Sequence, residues 1–530
     1  MAFSGQIAPF PLGARGLTGS KNLALIRPDQ LIQANNITYE AGTLQKEGGR
    51  SKYNSSAISG APSILAGWDW IPAGTTQRMI IVASNGNMYR DTGDGSFGTT
   101  LKTGLTVTGE VPVFVEGGKE LAAQSRKLFC FTGKNAVQVL TADGTTTSDI
   151  STPPSDWSST NQPTFGFIHE DRLWGGGNAN DPHRLYYSIT TDHEDMTGSG
   201  SGSLPIYSGE GEKIVQAMSF KGLAIVWKYP RGVYVVDTTD PTVGNWKISR
   251  ISQSIGGISP LGAVAVDDDV IYMDAHGELQ ILSATTAFGN LGTRSLSDIA
   301  QMDELARVEF NLSDLSHTRG IFYPAKRQAH FAVAGVGNTV NNRRLIVDFN
   351  NPELPRFALG ARDTCEALWL RKDTDGIPRP VCGGDDGFVY TMDEETRSDA
   401  GVGYEGLFQT PHLDFAFLDP RLGAVRKNGM FLELIMEPVG NFALNVDIYW
   451  DDELSETIAF NQGSTGAVLG AFVLGTDVLA GSNLVNKKKR VRGSGRRFSF
   501  AARNSAAGET FSIAAAYFHF LVGDERNPDA

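Results

Sequence analysis

The sequence predicts an all-β protein: a β-propeller of about seven blades, with six or eight as alternatives, followed by a C-terminal antiparallel β-sandwich. Three observations lead there. Glycine is abundant, at 61 of 530 residues, about 11.5% against an average near 7%, so the chain turns often. Only 20% of residues are charged, below the ~25% of average usage, and convincing amphipathic helices are scarce. The best helix candidate is Leu296–Val308, where Leu296, Ile299, Leu305 and Val308 recur at approximate helical spacing. Third, short β-branched and aromatic runs, punctuated by Gly, Asn, Asp and Pro, repeat as strand–turn–strand units along most of the chain.

Seven such units follow in order. Met79–Val82 turns at Ser84–Asn87 into Met88-Tyr89, and Leu128–Phe131 turns at Gly133–Asn135 into Val137–Leu140. Arg172–Trp174 reaches Leu185–Tyr187 through a long Gly/Asn turn ending near Pro182, and Leu223–Trp227 reaches Val233–Val236 through Pro230–Gly232. Val270–Met273 turns at Asp274–Gly277 into Leu279–Leu282, and His330–Val333 takes a longer turn to Leu345–Phe349. Pro380–Cys382 turns at Gly383–Gly387 into Phe388–Tyr390. Successive units begin 44–60 residues apart. Four-stranded propeller blades repeat every ~40–50 residues, and ring packing buries faces that no single blade can cover.

Three regions result. Residues 1–60 read as an N-terminal arm holding a possible blade-closing strand, 61–395 as the propeller and 396–530 as the sandwich. Glu394–Tyr404 is polar and glycine-containing and reads as the linker between the last two. Beyond it, Val446–Trp450, Phe498–Ala501 and Phe511–Phe520 read as strands, the last two flanking a turn at Asn504–Gly508. Thr197–Ser203 reads as a loop inside the propeller, since blade units continue on both sides.

Composition narrows the function. Hydrophobic residues make up 41% of the chain, enough for a large core and too many for wholesale disorder. A net charge of −13 opposes bulk electrostatic capture of nucleic acid, although not the passage of DNA alongside. Cys130, Cys365 and Cys382 form no C-x-x-C pair, and three cysteines make no disulfide framework. Met1–Phe10 lacks a basic segment followed by an apolar one, and no stretch reaches ~18 uninterrupted apolar residues. The nearest, Gly466–Gly481, is broken by Thr476 and Asp477. The expectation is a soluble chain without a membrane-spanning segment, made in a reducing cytoplasm.

Chemistry-bearing motifs are few. There is no P-loop and no nucleophile elbow. His169-Glu170 and His193-Glu194 lack the second histidine of a zincin helix. Asp91-Thr-Gly-Asp94-Gly95 has the composition of a calcium loop without its spacing, and Asp267–Asp269 and Asp385-Asp386 read as solvated turns. The sialidase Asp-box repeat is absent, so no catalytic residue, cofactor or metal site is expected. One run stands out: Lys487, Lys488, Lys489, Arg490, Arg492, Arg496 and Arg497 put seven cations into eleven residues of an acidic chain. No aromatic residue interleaves it until Phe498, which disfavours a single-strand stacking platform. A solvated strand edge, a subunit or partner contact, and a DNA contact are its three readings.

Three stretches carry a family resemblance. Ala24–Leu31 with Arg27-Pro28, then Ala34–Ile37 and Gly42–Gly49, is similar to the start of tail-tube nozzle and related neck or tail proteins of double-stranded DNA bacteriophages. Glu47 stands where those proteins usually carry a basic residue. Asp171–Asn178 with Asp181–Ser188 resembles a hairpin frequent in their propellers. Arg496–Phe500 with Asn504-Ser505, Gly508 and Phe511–Ile513 resembles their C-terminal strand pair. The resemblance implies a structural protein of the virion tail, six copies in a ring, contacting a portal or adaptor and tail fibre proteins. Double-stranded DNA would pass through without sequence-specific binding, be retained, and be ejected at infection. Another neck or tail component, such as a hub or stopper, is the alternative within that class. A propeller enzyme or lectin acting on host glycans is the alternative outside it.

Overall fold

The computed structural model describes residues 5–20, 26–40, 42–71, 77–93, 95–117, 126–141, 145–207, 209, 211–284, 291–297, 301, 303–351, 354–362, 364–463 and 484–523, with Ala284 and Asp303 described by backbone only. It is nearly all β, with 50% of residues in strands and 4% in helices. Among the described residues, six sheets are free-standing propeller blades of four antiparallel strands. Blade 1 comprises Ile64–Trp70, Arg78–Ala83, Met88–Arg90 and Thr99–Lys102, and blade 2 comprises Val113–Gly117, Lys127–Phe131, Gln138–Leu140 and Thr147–Asp149. Blade 3 runs from Phe165–His169 to Gly202–Pro205, blade 4 from Lys213–Phe220 to Lys247–Ser252, and blade 5 from Ala263–Val266 to Leu291–Ser295. The last free-standing blade pairs Ala367–Lys372, Pro378–Gly383 and Val389–Glu394 with the N-terminal strand Gly49–Lys52, which closes the ring.

Between blade 5 and that closing blade stand four more antiparallel strands, Arg319–Tyr323, Gln328–Ala334, Asn341–Asp348 and Arg356–Gly360. They hold a place in the ring without being a separate sheet, because they open an eleven-stranded sheet that runs on into the sandwich. The first strands of successive units lie side by side around the axis. Where blades 4 and 5 meet, Gln216 bridges: its Nε2 donates to Ala263 O at 3.1 Å and its Oε1 accepts from Ala263 N at 2.8 Å. All seven hairpin signals fall on the second and third strands of these units. These strands are buried on both faces and so read as near-continuous apolar runs. Glycine marks the closest approaches. A Cβ on Gly67 would sit 2.4 Å from the Trp369 indole, and one on Gly166 would sit 2.2 Å from the Phe131 ring.

The sandwich is not separate from the propeller. One of its sheets is the far half of the eleven-stranded sheet, in the order Gln33–Asn35, Gly406–Gln409, Phe498–Asn504, Ala443–Trp450, Glu453–Asn461. The facing sheet orders Val485–Arg490, Lys427–Met436, Ser512–Val522, Thr43–Lys46 and Ile37–Glu40, and Gln6–Phe10 also pairs with Ser512–Val522. The two sheets meet in an aromatic core: Phe498 and Phe518 stack at 3.8 Å, and Phe10 sets its edge on Phe500 at 5.2 Å. One apolar cluster joins these residues to Phe331, Val347 and Ile271 of the propeller.

Several expectations change. The strands flanking Asn504–Gly508 are not hydrogen-bonded to each other. They lie in opposite sheets and face across the core. The helix candidate is described as Asp303–Glu309, with Val308 48% exposed rather than core-facing, and Ile299 lies outside the described residues. Gly466–Gly481 also lies outside them. The stretch Glu394–Tyr404 is pinned rather than loose: Asp399 pairs with Arg50, Arg397 donates to Lys46 O at 2.8 Å, and Tyr404 is buried.

The N-terminal arm is the joint of the molecule. Asn36 donates to Glu405 O at 2.7 Å and accepts from Ala361 N at 2.8 Å, tying sandwich to propeller. Lys46 is fully buried, donates to Asn504 Oδ1 and Ala506 O at 3.3 Å each, and lies 4.2 Å over the Tyr404 ring. Burial pushes its ammonium down to about 8. Glu47 pairs with Arg344 at 2.8 Å and with Arg362 at 4.0 Å, all three being buried. The acid at position 47 therefore answers two buried guanidinium groups.

Candidate subunit-contact site

The basic run occupies an edge of the sandwich. Among the described residues Val485–Arg490 pairs on one side only, with Lys427–Met436. Its pairing register decides where each cation sits. Leu432, Leu434 and Met436 of the neighbouring strand are fully buried, whereas Phe431, Glu433 and Ile435 are only half-buried. Lys488, opposite Glu433, joins the outer face, while Lys487 and Lys489, opposite Leu434 and Leu432, take the core-side positions of an edge strand. Lysine there keeps its ammonium in water and discourages indiscriminate strand pairing.

The seven cations divide into two groups. Arg492, Arg496 and Arg497 are tied to acids of the neighbouring hairpin through their backbone N–H groups, and of the three only Arg497 has its guanidinium paired with a carboxylate among the described residues. Arg492 N donates to Glu456 Oε1 at 2.5 Å, and Arg496 N and Arg497 N donate to Asp451 Oδ1 at 2.9 and 2.8 Å. The Arg497 guanidinium pairs with Asp452. Lys488 is anchored on the outer face, 4.0 Å from Glu433, 3.4 Å from His519 Nδ1 and 4.8 Å over Phe431. Glu433 is held below the usual carboxylate range, first by the hydrogen bond from Asn486 and then by those of His519 and the Lys488 charge. The side chains of Lys487, Lys489, Arg490, Arg492 and Arg496 have no carboxylate within ion-pairing distance among the described residues. Three of these five, Lys487, Lys489 and Arg490, half-buried to exposed, line a strand whose outer edge is unpaired among the described residues.

Sequence reasoning found the run and missed its anchors. Glu433 and His519 come from strands about 55 and 30 residues away, and only sheet register brings them to Lys488. Asp451-Asp452 did carry a local signal, an acidic pair directly after an apolar strand. Both residues have positive φ, 47° and 76°, which suits a tight turn.

The other motifs resolve into structural roles. His169 is buried between Ser219 Oγ at 2.8 Å and Thr238 Oγ1 at 2.7 Å, and desolvation lowers its pKa. Glu194, beside His193, pairs with Lys127 at 2.6 Å. Asp91 accepts from Met79 N at 2.9 Å and from the Tyr53 hydroxyl, whereas Asp94 lies outside the described residues. Asp267 pairs with Arg327 at 2.6 Å, Asp268 with Lys221 at 3.1 Å, and Asp386 accepts from Tyr390 at 2.6 Å. Among the described residues no group of three His, Cys, Asp or Glu side chains could hold a metal, and no helix is long and apolar enough to cross a membrane. The chain matches no known family model and no curated protein.

Proposed function

We propose that this chain is a structural subunit of a bacteriophage tail, a nozzle-type protein whose copies form a ring that conducts, retains and finally releases the genome. The observation that carries the reading is the uncommitted edge. Lys487, Lys489 and Arg490 face no described acid on a chain of net charge −13. Copies of so acidic a chain repel one another, and a local cationic strand set against a neighbour's acid offsets that repulsion. In a ring each subunit offers one patch to a different patch of the next, a heterologous contact that closes by rotation. The fold suits the role, since a shared core gives a rigid block rather than two hinged domains. The described parts of the three resembling stretches lie at the N-terminal joint, in blade 3 and in or beside the aromatic core. An acidic lumen would let DNA pass without gripping it.

Mass photometry and negative-stain imaging of the purified protein test the proposal. Closed rings, six-fold by the family resemblance, are the expected result. A monomer at all concentrations, or hydrolysis of purified host polysaccharide, would overturn it in favour of the glycan-acting alternative. Rings that sit elsewhere in the virion would favour the hub or stopper.

A further inference from the structure

We infer that the propeller carries a ligand site at its axis, shaped for a small apolar molecule bearing one carboxylate. The first strands of blades 1 and 2, of the closing blade and of the Arg319–Tyr323 unit line a half-open cavity of about 480 Å³. A cavity of ~150 Å³ suffices for benzene, so this one accommodates a substantially larger body, within the range of small-molecule sites. Its walls are mainly apolar: the indoles of Trp68 and Trp369, the rings of Phe114 and Phe322, and Leu370. Flat aromatic walls favour an aromatic or extended aliphatic body.

The polar groups select the charge. Asp69 is already engaged, accepting from Gln77 Nε2 at 2.6 Å and from Lys372 N at 2.9 Å. Glu116 is engaged with Arg126 at 3.2 Å, both partly exposed. Arg319 is different. It is 3% exposed, its Nε donates to Glu366 O at 2.6 Å, and its Nη1 has no acceptor. The indole N–H groups of Trp68 and Trp369 also have no acceptor. Every unsatisfied side-chain atom among these wall residues is thus a donor, and each is out of reach of water. A side-chain rotation that brings the Arg319 guanidinium to the cavity surface gives a ligand carboxylate a charge-assisted partner. A neutral acceptor gains less from it, and a cation is repelled. This site is independent of the edge strand and of ring assembly.

The test uses the full-length protein labelled with fluorotryptophan, the Trp68 and Trp369 resonances being assigned from Trp68→Phe and Trp369→Phe. Phenylbutyrate, phenylbutyramide and phenylbutylamine are titrated in turn. Phenylbutyrate is expected to shift both resonances saturably and to bind roughly tenfold or more tightly than the amide, the worth of one charge-assisted hydrogen bond. Arg319→Met should abolish that preference. Leu370→Trp, which fills the cavity from a half-buried wall position, should block every probe at unchanged melting temperature. Should Arg319→Met fail to fold, the probe comparison and Leu370→Trp still decide. Equal binding of acid and amide, tighter binding of the amine, undiminished binding to Leu370→Trp, or absence of saturable shifts at Trp68 and Trp369 would each overturn the inference.

Discussion

Replacing Glu47 by Gln removes one negative charge from the joint between propeller and sandwich and almost no volume. Arg344 and Arg362, 2.8 and 4.0 Å away with side chains 1% and 4% exposed, then lose the carboxylate they share. Taking one partner from a buried pair costs about 3–5 kcal/mol, because the remaining charge stays desolvated. His330 Nδ1 still accepts from Arg344 Nη1 at 3.1 Å, which argues for the lower end. Unfolding entropy near 2.1 cal/mol/K per residue comes to roughly 1.1 kcal/mol/K over this chain, so about 3 kcal/mol lowers the melting temperature by about 3 °C. Glu47→Lys, which adds a third cation, should cost several degrees more. Calorimetry reads both, and limited proteolysis should show earlier cleavage at the joint. The single apolar cluster across both parts predicts that they melt in one transition. Glu47→Gln melting within half a degree of the parent, or a sandwich that melts separately, would refute the coupling.

Reversing Lys487, Lys489 and Arg490 to Glu, while sparing the Lys488–Glu433 contact, should leave the melting temperature unchanged but prevent ring formation, most strongly at low salt; rings of normal stability by mass photometry would make the strand a solvated edge only. Normal rings with failed genome delivery would instead point to DNA contact. Burial depresses Lys46 and Lys427 to about 8; both pay the full desolvation cost below pH 8, where folded and unfolded chains are alike protonated, so stability should rise as pH climbs through 8 toward the unfolded lysine value of 10.5. Melting temperatures between pH 7.5 and 9.5 check this, and Lys46→Met should flatten the slope. Gly166→Ala should destabilise by about 1–3 kcal/mol, because the new methyl meets the fully buried Phe131 ring, which urea unfolding measures. Chelator treatment should leave the melting curve unchanged, there being no metal-ligating cluster among the described residues.

What the sequence by itself determined is the part of the structure written in local pattern. Apolar runs such as Leu223–Trp227 and Val270–Met273, each followed within a few residues by Gly or Pro and a second run, are paired by chain proximity alone. The blade hairpins and the all-β class were therefore legible. The outer strands, among them Thr147–Asp149 and Gly202–Pro205, were not, because they are short and half-exposed and lack an apolar signature. The clustering of cations at 487–497 was visible too, as composition. Only the tertiary structure separated Lys488 and Arg497, whose charges Glu433 and Asp452 meet, from the cations that face no described acid. It alone chose which strand of the N-terminal arm closes the ring, setting Gly49–Lys52 on a partner some 340 residues distant, ran one sheet from propeller into sandwich, and set Glu47 against Arg344 and Arg362. The physical reason is range: turn chemistry and strand periodicity act over a few residues, whereas ring closure, sheet continuation and the pairing of buried charges are chosen by whichever distant surface best repays their burial, and no local pattern encodes that choice.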